Sequence, residues 1–450
     1  MRIKKILPDL YNCKVAVIGL GYVGLPLSVL ISQTKKCCLT KRTINRNVIG
    51  FDINKERIEQ LKNYNDLTLE VSREELKELK NIEFVHETDH LVDSDIFIIT
   101  VPTPVDTNNN PDLSFTLNAC RDLGLILSER KDHKIETFPI IVFESTVFPS
   151  ATEDVFIPLI EKTSNLKLNS DFYCGYSPER VNPGDKKRKI NAITKVTSGS
   201  NDESAQWINN FYGSFINAGT FQAKSIKVAE AAKIIENTQR DLNIALINEL
   251  SRIFTNLNID TLDVLDAACT KWNFLNFRPG LVGGHCIGVD PYYLTFKSQL
   301  EGYYPELVLS GRKINNEMPA WIVHKIIKEA TLSGFCIKDC PILIMGITFK
   351  ENCPDTRNSK VFDLIKELNL YSSNIDVVDP FVNAKKFDKK NNFQVFSDIP
   401  NKKYSILILA VAHDIFLNYS NNFWKEFCLE TNLIFDLKGF LPRDLNPLRP

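Results

Sequence analysis

The sequence predicts an α/β protein: two doubly wound parallel-sheet domains joined by a long central helix. Three observations predict it. Short apolar runs alternate with helical segments through the first half, the pattern of a parallel sheet with helical crossovers. Residues 226–257 contain no Gly or Pro and are rich in Ala, Glu, Leu, Ile and Asn. At 1.5 Å per residue such a helix would span roughly 45 Å, more than one domain. After Gly334 the alternation resumes. The 450 residues suffice for two or three domains. Boundaries are read at 1–220, 221–330 and 331–450.

The elements follow in order. Residues 14–18 form a short apolar strand that runs into Gly19, and 25–32 read as a helix. Residues 48–52 form a second strand ending in Asp52. Strands at 95–101 and 140–143 follow, and Thr103 and Thr146 lie just past their ends. Ligands of such sheets sit at the carboxyl ends of strands, so both threonines are placed for cofactor contact. In the last third, strands are expected at 341–346, 375–379, 404–411 and 433–436, with a helix at 359–368. That region has Gly346 but no GxGxxG, reads as no obvious repeat of the first, and is expected to take a different ligand.

Composition excludes several classes. With 54 Lys and Arg against 55 Asp and Glu, the net charge is -1. Nothing in that balance suggests nucleic acid or an anionic membrane as partner. Eleven cysteines are scattered without a CxxC pair, so no metal site is expected. The basic N-terminus lacks an apolar core behind it, and no run of 18 apolar residues occurs. Neither a signal peptide nor a transmembrane helix is expected, and reduced thiols suit the cytoplasm.

The motifs carry chemistry. Gly19-Leu20-Gly21-Tyr22-Val23-Gly24 follows a strand and opens a helix. Gly19 allows the tight turn, and Gly21 lets the backbone approach a pyrophosphate at the helix N-terminus. Asp52 can accept hydrogen bonds from a ribose diol and would repel a 2′-phosphate, which favours NAD over NADP. Asp52 lies late because residues 34–47 carry Lys35, Lys36, Lys41, Arg42 and Arg46, read as an exposed basic insertion. On the long helix, Glu230, Lys233, Asn237 and Arg240 share one face. A solvated ionic stripe is the plain reading. Alternatively Lys233 and Asn237 project an ammonium and an amide into a cleft, where the ammonium would stabilise an oxyanion.

Cys286 lies in Gly283-Gly284-His285-Cys286-Ile287-Gly288-Val289-Asp290. A lone cysteine is usually a buried small hydrophobe. Here the glycines let a substrate approach the thiol, and Asp290 could hold a water or a proton relay. A thiol can hold an aldehyde while a nicotinamide removes hydride from it, taking an alcohol to an acid. Two loops complete the set. Residues 176–184 carry Glu179, a candidate base, and Arg180, a candidate for binding a polar group. Residues 348–359 carry Lys350 and Arg357, suited to phosphate or carboxylate.

Together these blocks resemble the UDP-glucose/UDP-mannuronate dehydrogenase family over about residues 14–443. The carrying pieces are GLGYVGLPL, TVPTPVD, ESTVFP, YSPERVNPG, KIIENTQRD, GGHCIGVDPYYL and FKENCPDTR. The resemblance implies two Rossmann-like domains, one for NAD and one for UDP, around a central dimer helix. It implies a twofold NAD-dependent oxidation of a sugar C6 alcohol through a thioester on Cys286. By resemblance Lys233 and Asn237 stabilise oxyanions, Asp290 and Thr146 assist proton transfer, and Glu179 activates the hydrolytic water. Tyr22, Val23, Asp52, Arg57, Thr103 and Thr146 would contact NAD, with Arg357 as a further contact. Glu179, Arg180, Val181, Lys233, Asn237, Arg240, Gly283, His285 and Lys350 would line the sugar-nucleotide site.

Within the family, Ser-Pro-Glu-Arg followed by Asn-Pro-Gly-Asp at 182–185 resembles bacterial UDP-N-acetylglucosamine or UDP-N-acetylgalactosamine 6-dehydrogenases of surface-polysaccharide pathways such as capsule and O-antigen. UDP-glucose and UDP-N-acetylmannosamine stand as alternatives, and a non-catalytic nucleotide-sugar-binding protein is the reading of another class. Many members contribute an arginine to the substrate across the dimer. Lys271 and Arg278 are both candidates for it. Ser150 stands where many members have glycine and is expected to be tolerated.

Overall fold

The computed structural model describes residues 6–133, 135–181, 189–382 and 393–450. Two compact units emerge: Met1–Glu236 with Tyr292–Gly302, and Asn237–Pro291 with Tyr303–Pro450.

In the first unit, strands β1 (Lys14–Ile18), β2 (Asn47–Phe51), β3 (Ile82–Val85), β4 (Ile96–Ile99), β5 (Ile140–Phe143) and β6 (Tyr173–Tyr176) form one parallel sheet in the order 3-2-1-4-5-6. Every residue of β4 and β5 is buried. Strands covered on both faces read as unbroken apolar runs, which is why Ile-Phe-Ile-Ile and Ile-Ile-Val-Phe announce themselves. Helices α1 (Gly24–Gln33), α2 (Lys55–Lys62), α3 (Arg73–Glu78), α4 (Ser114–Asp132), α5 (Ile157–Ser164) and α6 (Asp202–Gly213) belong to this unit. A small parallel pair, β7 (Lys195–Thr197) and β8 (Thr220–Gln222), flanks α6.

The basic insertion departs from its sequence reading. Lys35, Lys36, Lys41 and Arg42 are exposed, as expected. Arg46 is not: it is 1% exposed. Its Nη2 donates to the Leu10 carbonyl (2.6 Å) and to Ser214 Oγ (2.8 Å). Its guanidinium lies 4.6 Å from the Phe211 ring centre. Cys37 and Ile44 are buried beside it. A planar, weakly hydrated guanidinium can stack on aromatics in a dry setting where an ammonium cannot. The insertion therefore closes over the end of α6 instead of hanging in solvent.

In the second unit, β9 (Ile342–Met345), β10 (Ile375–Val378), β11 (Gln394–Phe396), β12 (Tyr404–Leu409) and β13 (Cys428–Asp436) form a parallel sheet in the order 11-10-9-12-13. Past Tyr404, the central strands β9 and β12 alternate between two cores. Ile342, Ile344, Ile406 and Ile408 face one, and Leu343, Met345, Leu407 and Leu409 face the other. This is the period-2 geometry of a strand buried on both sides. Truncating Ile344 to Ala would cost ~2–5 kcal/mol. The strand order matches the first five strands of the other unit, so the repeat that the sequence did not reveal is present in the topology.

Helix α7 (Ile226–Asn256) begins in the first unit and continues into the second. The second unit also holds α8 (Thr261–Ala268) and α10 (Glu306–Leu332), while α9 (Asp290–Leu300) returns to the first. Within the second unit α7 and α10 pack closely: a Cβ on Gly311 would lie 2.5 Å from Leu242. Buried Asp241 accepts from Arg312 Nη1 (2.6 Å) and Asn315 Nδ2 (2.7 Å).

Candidate active site

The first unit builds a dinucleotide cradle. Gly19 has φ +96°, the left-handed region that glycine enters without strain. A Cβ on Gly24 would lie 1.9 Å from the Gly19 carbonyl, so only glycine fits there. A Cβ on Gly21 would meet nothing within 4 Å. That opening lies beside the N-terminus of α1, which has no side-chain cap and no acid in its first turn. Backbone N–H groups left free at a helix start suit a pyrophosphate. Tyr22 and Val23 line a cavity of about 1000 Å³ here, with Glu179 and Val181 on its wall. Past β2, Asp52 Oδ2 accepts the Leu20 N–H (2.9 Å) and Oδ1 accepts the Asn54 N–H (2.9 Å). The carboxylate is half-buried. Arg57 braces the loop: Nε donates to the Leu20 carbonyl (2.9 Å) and Nη2 pairs with Asp66 (2.8 Å). Thr103 and Thr146 lie half-buried beyond β4 and β5. These residues fit NAD.

A second group in this unit gathers around Glu179. Its Oε1 accepts the N–H groups of Arg180 and Val181, both at 2.6 Å. Its Oε2 lies 3.2 Å from Lys195 Nζ. Lys195 is buried and bonds Glu144 Oε2 at 2.6 Å, while Tyr212 OH donates to Glu144 Oε1. Burial pushes the Glu144 carboxyl above its usual range, against the pull of Lys195. Burial also works against the Lys195 ammonium, yet the two carboxylates hold its pKa above the ordinary value. Arg180 turns to α7, where its Nε and Nη2 fork onto Glu236 (3.1 and 2.7 Å).

Glu230, expected in an exposed stripe or a cleft-facing row, is wholly buried. Its carboxylate takes the N–H groups of Ser150 (2.6 Å) and Thr152 (2.9 Å), fixing the segment after Thr146 to α7. Burial pushes Glu230 up to about 7. Ser150 holds φ +75°, a glycine-like conformation tolerated by a serine. Lys233, one turn on, is also buried, so the solvated-stripe reading fails for both.

The second unit presents the thiol. Cys286 is half-buried, and its carbonyl accepts the N–H groups of Val289 (3.0 Å) and Asp290 (2.8 Å), curling the loop into α9. Asn237 Nδ2 donates to Asp290 Oδ2 at 2.5 Å. A Cβ on Gly283 would lie 2.4 Å from the Asn358 carbonyl, and one on Gly284 would lie 2.6 Å from the Phe349 ring. The thiol loop thus rests on the 348–359 loop. His285 Nε2 meets Asp355 Oδ2 at 2.8 Å, and Arg357 forks onto the same carboxylate. Burial alone would raise Asp355, but His285 and Arg357 hold it well below the usual carboxylate range. Lys350 is half-buried nearby in sequence.

Not all candidates gather. Arg240 and Lys271 are exposed, and Arg278 pairs with Asp266 at 2.6 Å. Residues 182–185, which carried part of the acetamido-sugar resemblance, lie outside the described residues. Sequence reasoning missed Lys195, Tyr212 and the role of Glu144. The available signal was a lysine opening a fully buried strand and a glutamate directly following one.

Family comparison decides the identity. Residues 13–216 match the NAD binding domain of the UDP-glucose/GDP-mannose dehydrogenase family, 227–317 its central domain, and 343–443 its UDP binding domain. The chain belongs to this family. It is an NAD-dependent nucleotide-sugar dehydrogenase. It is 47% identical to UDP-N-acetyl-D-glucosamine 6-dehydrogenases of Salmonella typhi (97% of this chain, 98% of that one) and Pseudomonas aeruginosa (97% and 99%). Among solved structures, the UDP-N-acetyl-mannosamine dehydrogenase of Staphylococcus aureus superposes with a TM-score of 0.76 at 28% identity, covering 95% of both chains.

Proposed function

We propose that this dehydrogenase oxidises the C6 hydroxymethyl of a UDP-2-acetamido sugar, UDP-N-acetylglucosamine or its C4 epimer, to the uronic acid through a thioester on Cys286. The observation that carries the sugar class is the 47% identity, over nearly full length, to two UDP-N-acetyl-D-glucosamine 6-dehydrogenases. NAD, when bound, accepts one hydride in each of two oxidations. Overall, alcohol, two NAD⁺ and water give carboxylate, two NADH and three protons.

The chain's own residues divide the work. Gly19, Gly21, Gly24, Tyr22 and Val23 hold the pyrophosphate, and Asp52 holds the adenosine ribose, with Arg57 bracing that loop and Thr103 beside it. Cys286 adds to the aldehyde carbon. Lys233 and Asn237 stabilise the oxyanion. Asp290, fixed by Asn237, assists proton transfer through water, and Thr146 is assigned the same role. Glu179 takes a proton from the water that hydrolyses the thioester. Arg180, Val181, Arg240, Gly283, His285 and Lys350 bind the nucleotide sugar, and Lys271 or Arg278 reaches it from a second subunit. Arg357, forked onto Asp355, sets the loop under His285.

The segments 1–220, 221–330 and 331–450 serve NAD binding, dimerisation and UDP-sugar binding. A homodimer through α7 is supported by Val228, Ile235, Leu246 and Ile253. They are spaced by seven, eleven and seven residues, so they share one helical face, and all are exposed. No helix of the described residues is long and apolar enough to cross a membrane. The eleven cysteines form no disulfide, which suits a cytoplasmic site of action.

The test is stoichiometric. Purified protein is mixed with NAD and, separately, UDP-N-acetylglucosamine, UDP-N-acetylgalactosamine, UDP-N-acetylmannosamine and UDP-glucose. Two NADH per acetamido sugar, with little from UDP-glucose, is expected. One NADH per sugar would remove Cys286 from its role. Turnover of UDP-N-acetylmannosamine or UDP-glucose alone would reassign the substrate.

A further inference from the structure

The buried group behind Glu179 has no place in the reaction as assigned above. It comprises Glu144 after β5, Lys195 on β7 and Tyr212 on α6, and Glu179 itself follows β6. The nearby Arg180 guanidinium is turned away to Glu236 on α7. With every group ionised except the tyrosine, two carboxylates share one ammonium in a dry pocket. Removing a lysine from water costs several kcal/mol unless its partners are well placed.

The sharing is uneven. Lys195 Nζ sits 2.6 Å from Glu144 and 3.2 Å from Glu179. The short bond anchors the lysine, and Tyr212 closes the other oxygen of Glu144. The longer bond reaches Glu179, which unlike Glu144 lines the cavity. Glu179 thereby receives two backbone N–H groups on Oε1 and an ammonium on Oε2. Donors to both oxygens fix the plane of the carboxylate.

We propose that Lys195 is a positioning residue for Glu179: its ammonium orients that carboxylate and places a positive charge beside it, while Glu144 with Tyr212 holds the ammonium in place. This rests on the reading that Glu179 serves as base in thioester hydrolysis. In that step the water oxygen bonds to the acyl carbon and a water proton passes to Glu179. The C–S bond breaks to return the Cys286 thiolate, and the new carboxylic acid ionises to solvent. Lys195 touches none of the reacting atoms. It acts on the base only through that charge and that orientation.

The two outer groups act with opposite sign. Removing the ammonium (Lys195→Met) leaves Glu179 beside a buried anion, so its proton affinity rises. Removing the anchor's charge (Glu144→Gln) deletes a like charge and leaves the ammonium to Glu179 alone, so its proton affinity falls. A merely structural ion pair would lower stability in both variants and shift no pH limb in either.

The experiment follows the acyl-enzyme directly. Wild type, Lys195→Met, Lys195→Arg, Glu144→Gln and Glu179→Gln are each mixed with NAD and UDP-N-acetylglucosamine and acid-quenched over time. Intact-protein mass then gives the rate of acyl loss from pH 5 to 9. Thermal unfolding is recorded in parallel. Lys195→Met should move the acid limb up by about one pH unit or more, slowing hydrolysis about tenfold or more below that limb. Lys195→Arg should keep the limb near wild type, and Glu144→Gln should move it down. Acid limbs unmoved in Lys195→Met and Glu144→Gln would overturn the inference. If Lys195→Met does not fold, the direction in Glu144→Gln decides alone. Glu179→Gln separates the two levels. Wild-type acyl loss there would sink the base assignment itself, whereas blocked acyl loss with unmoved limbs in the other variants sinks only the role of Lys195.

Discussion

The two parallel sheets share a frame and differ in what they leave open. Gly19 after β1 and Gly346 after β9 both hold positive φ, +96° and +88°. Asp52 after β2 and Asp379 after β10 each accept the N–H of the residue following that glycine, at 2.9 and 2.7 Å. The likeness ends there. Asp52 is half-buried, with its carboxylate at the rim of the cradle. Asp379 is wholly buried. It also accepts from Thr348 N (3.2 Å) and Phe381 N (2.9 Å), and His413 Nε2 stands 3.1 Å away. The Phe381 ring covers that imidazole at 4.8 Å. His413 Nδ1 accepts the Asn352 N–H (3.0 Å), so Nε2 carries the proton toward the carboxylate. Burial alone would raise Asp379, but His413 and the backbone donors hold it below the usual range. Asp436 at the end of β13 is likewise consumed by the N–H groups of Lys438, Gly439 and Leu441. A strand-end carboxylate thus stays partly open or becomes a structural clasp according to which loop folds over it.

The largest effect should come from the sealed side. Asp379→Ala leaves buried donors of Ile347 and Phe381 unpaired and should cost ~3–5 kcal/mol in urea unfolding. NAD affinity should be unchanged in the molecules that remain folded, by calorimetric titration. A weakened NAD affinity would break the comparison.

Glu230 gives the next effect, on the open sheet. Its folded pKa of about 7 lies above the ordinary 4.5. A raised carboxyl pKa means that the folded state binds the proton more tightly. Its contribution is full below pH 4.5 and is lost as pH rises through 7, up to ~3 kcal/mol. Stability measured from pH 4.5 to 7.5 should flatten in Glu230→Gln. An unchanged slope would show that another group carries it.

Asp52→Asn should weaken NAD about ten- to hundredfold, ~1.4–2.8 kcal/mol, with little change in unfolding midpoint. Equal loss of affinity and stability would make Asp52 a clasp like Asp379. Ser150→Gly should give the smallest effect. Relieving a serine at φ +75° should stabilise by ~0.5–1 kcal/mol in urea, less whatever the freer unfolded chain takes back. Destabilisation would show that the Ser150 side chain contributes in its own right.

Much of the fold was legible because its strands are buried on both faces. Ile96–Ile99 and Ile342–Met345 announce themselves as apolar runs, and α7 by the absence of Gly and Pro over its length. The cradle was legible because only glycine satisfies the close approaches at Gly19 and Gly24. What pattern reading lost was burial of charge. Arg46 sat among exposed basic residues, and nothing local says that it stacks on Phe211 while bonding Leu10, 36 residues away. Lys195 and Glu144 are 51 residues apart and meet only because α6 and two sheets bring them together.

The sequence by itself determined the parallel sheets, the long helix, the glycine turns and the identity of the thiol loop. These depend on local backbone geometry and on apolar periodicity, both written in consecutive residues. Tertiary structure decided which charges are buried, which carboxylates are spent on backbone N–H groups, and which strand-end acid is left partly open. Those outcomes turn on partners distant in the chain, and the free energy of a charged group depends on its surroundings far more than on its neighbours in sequence.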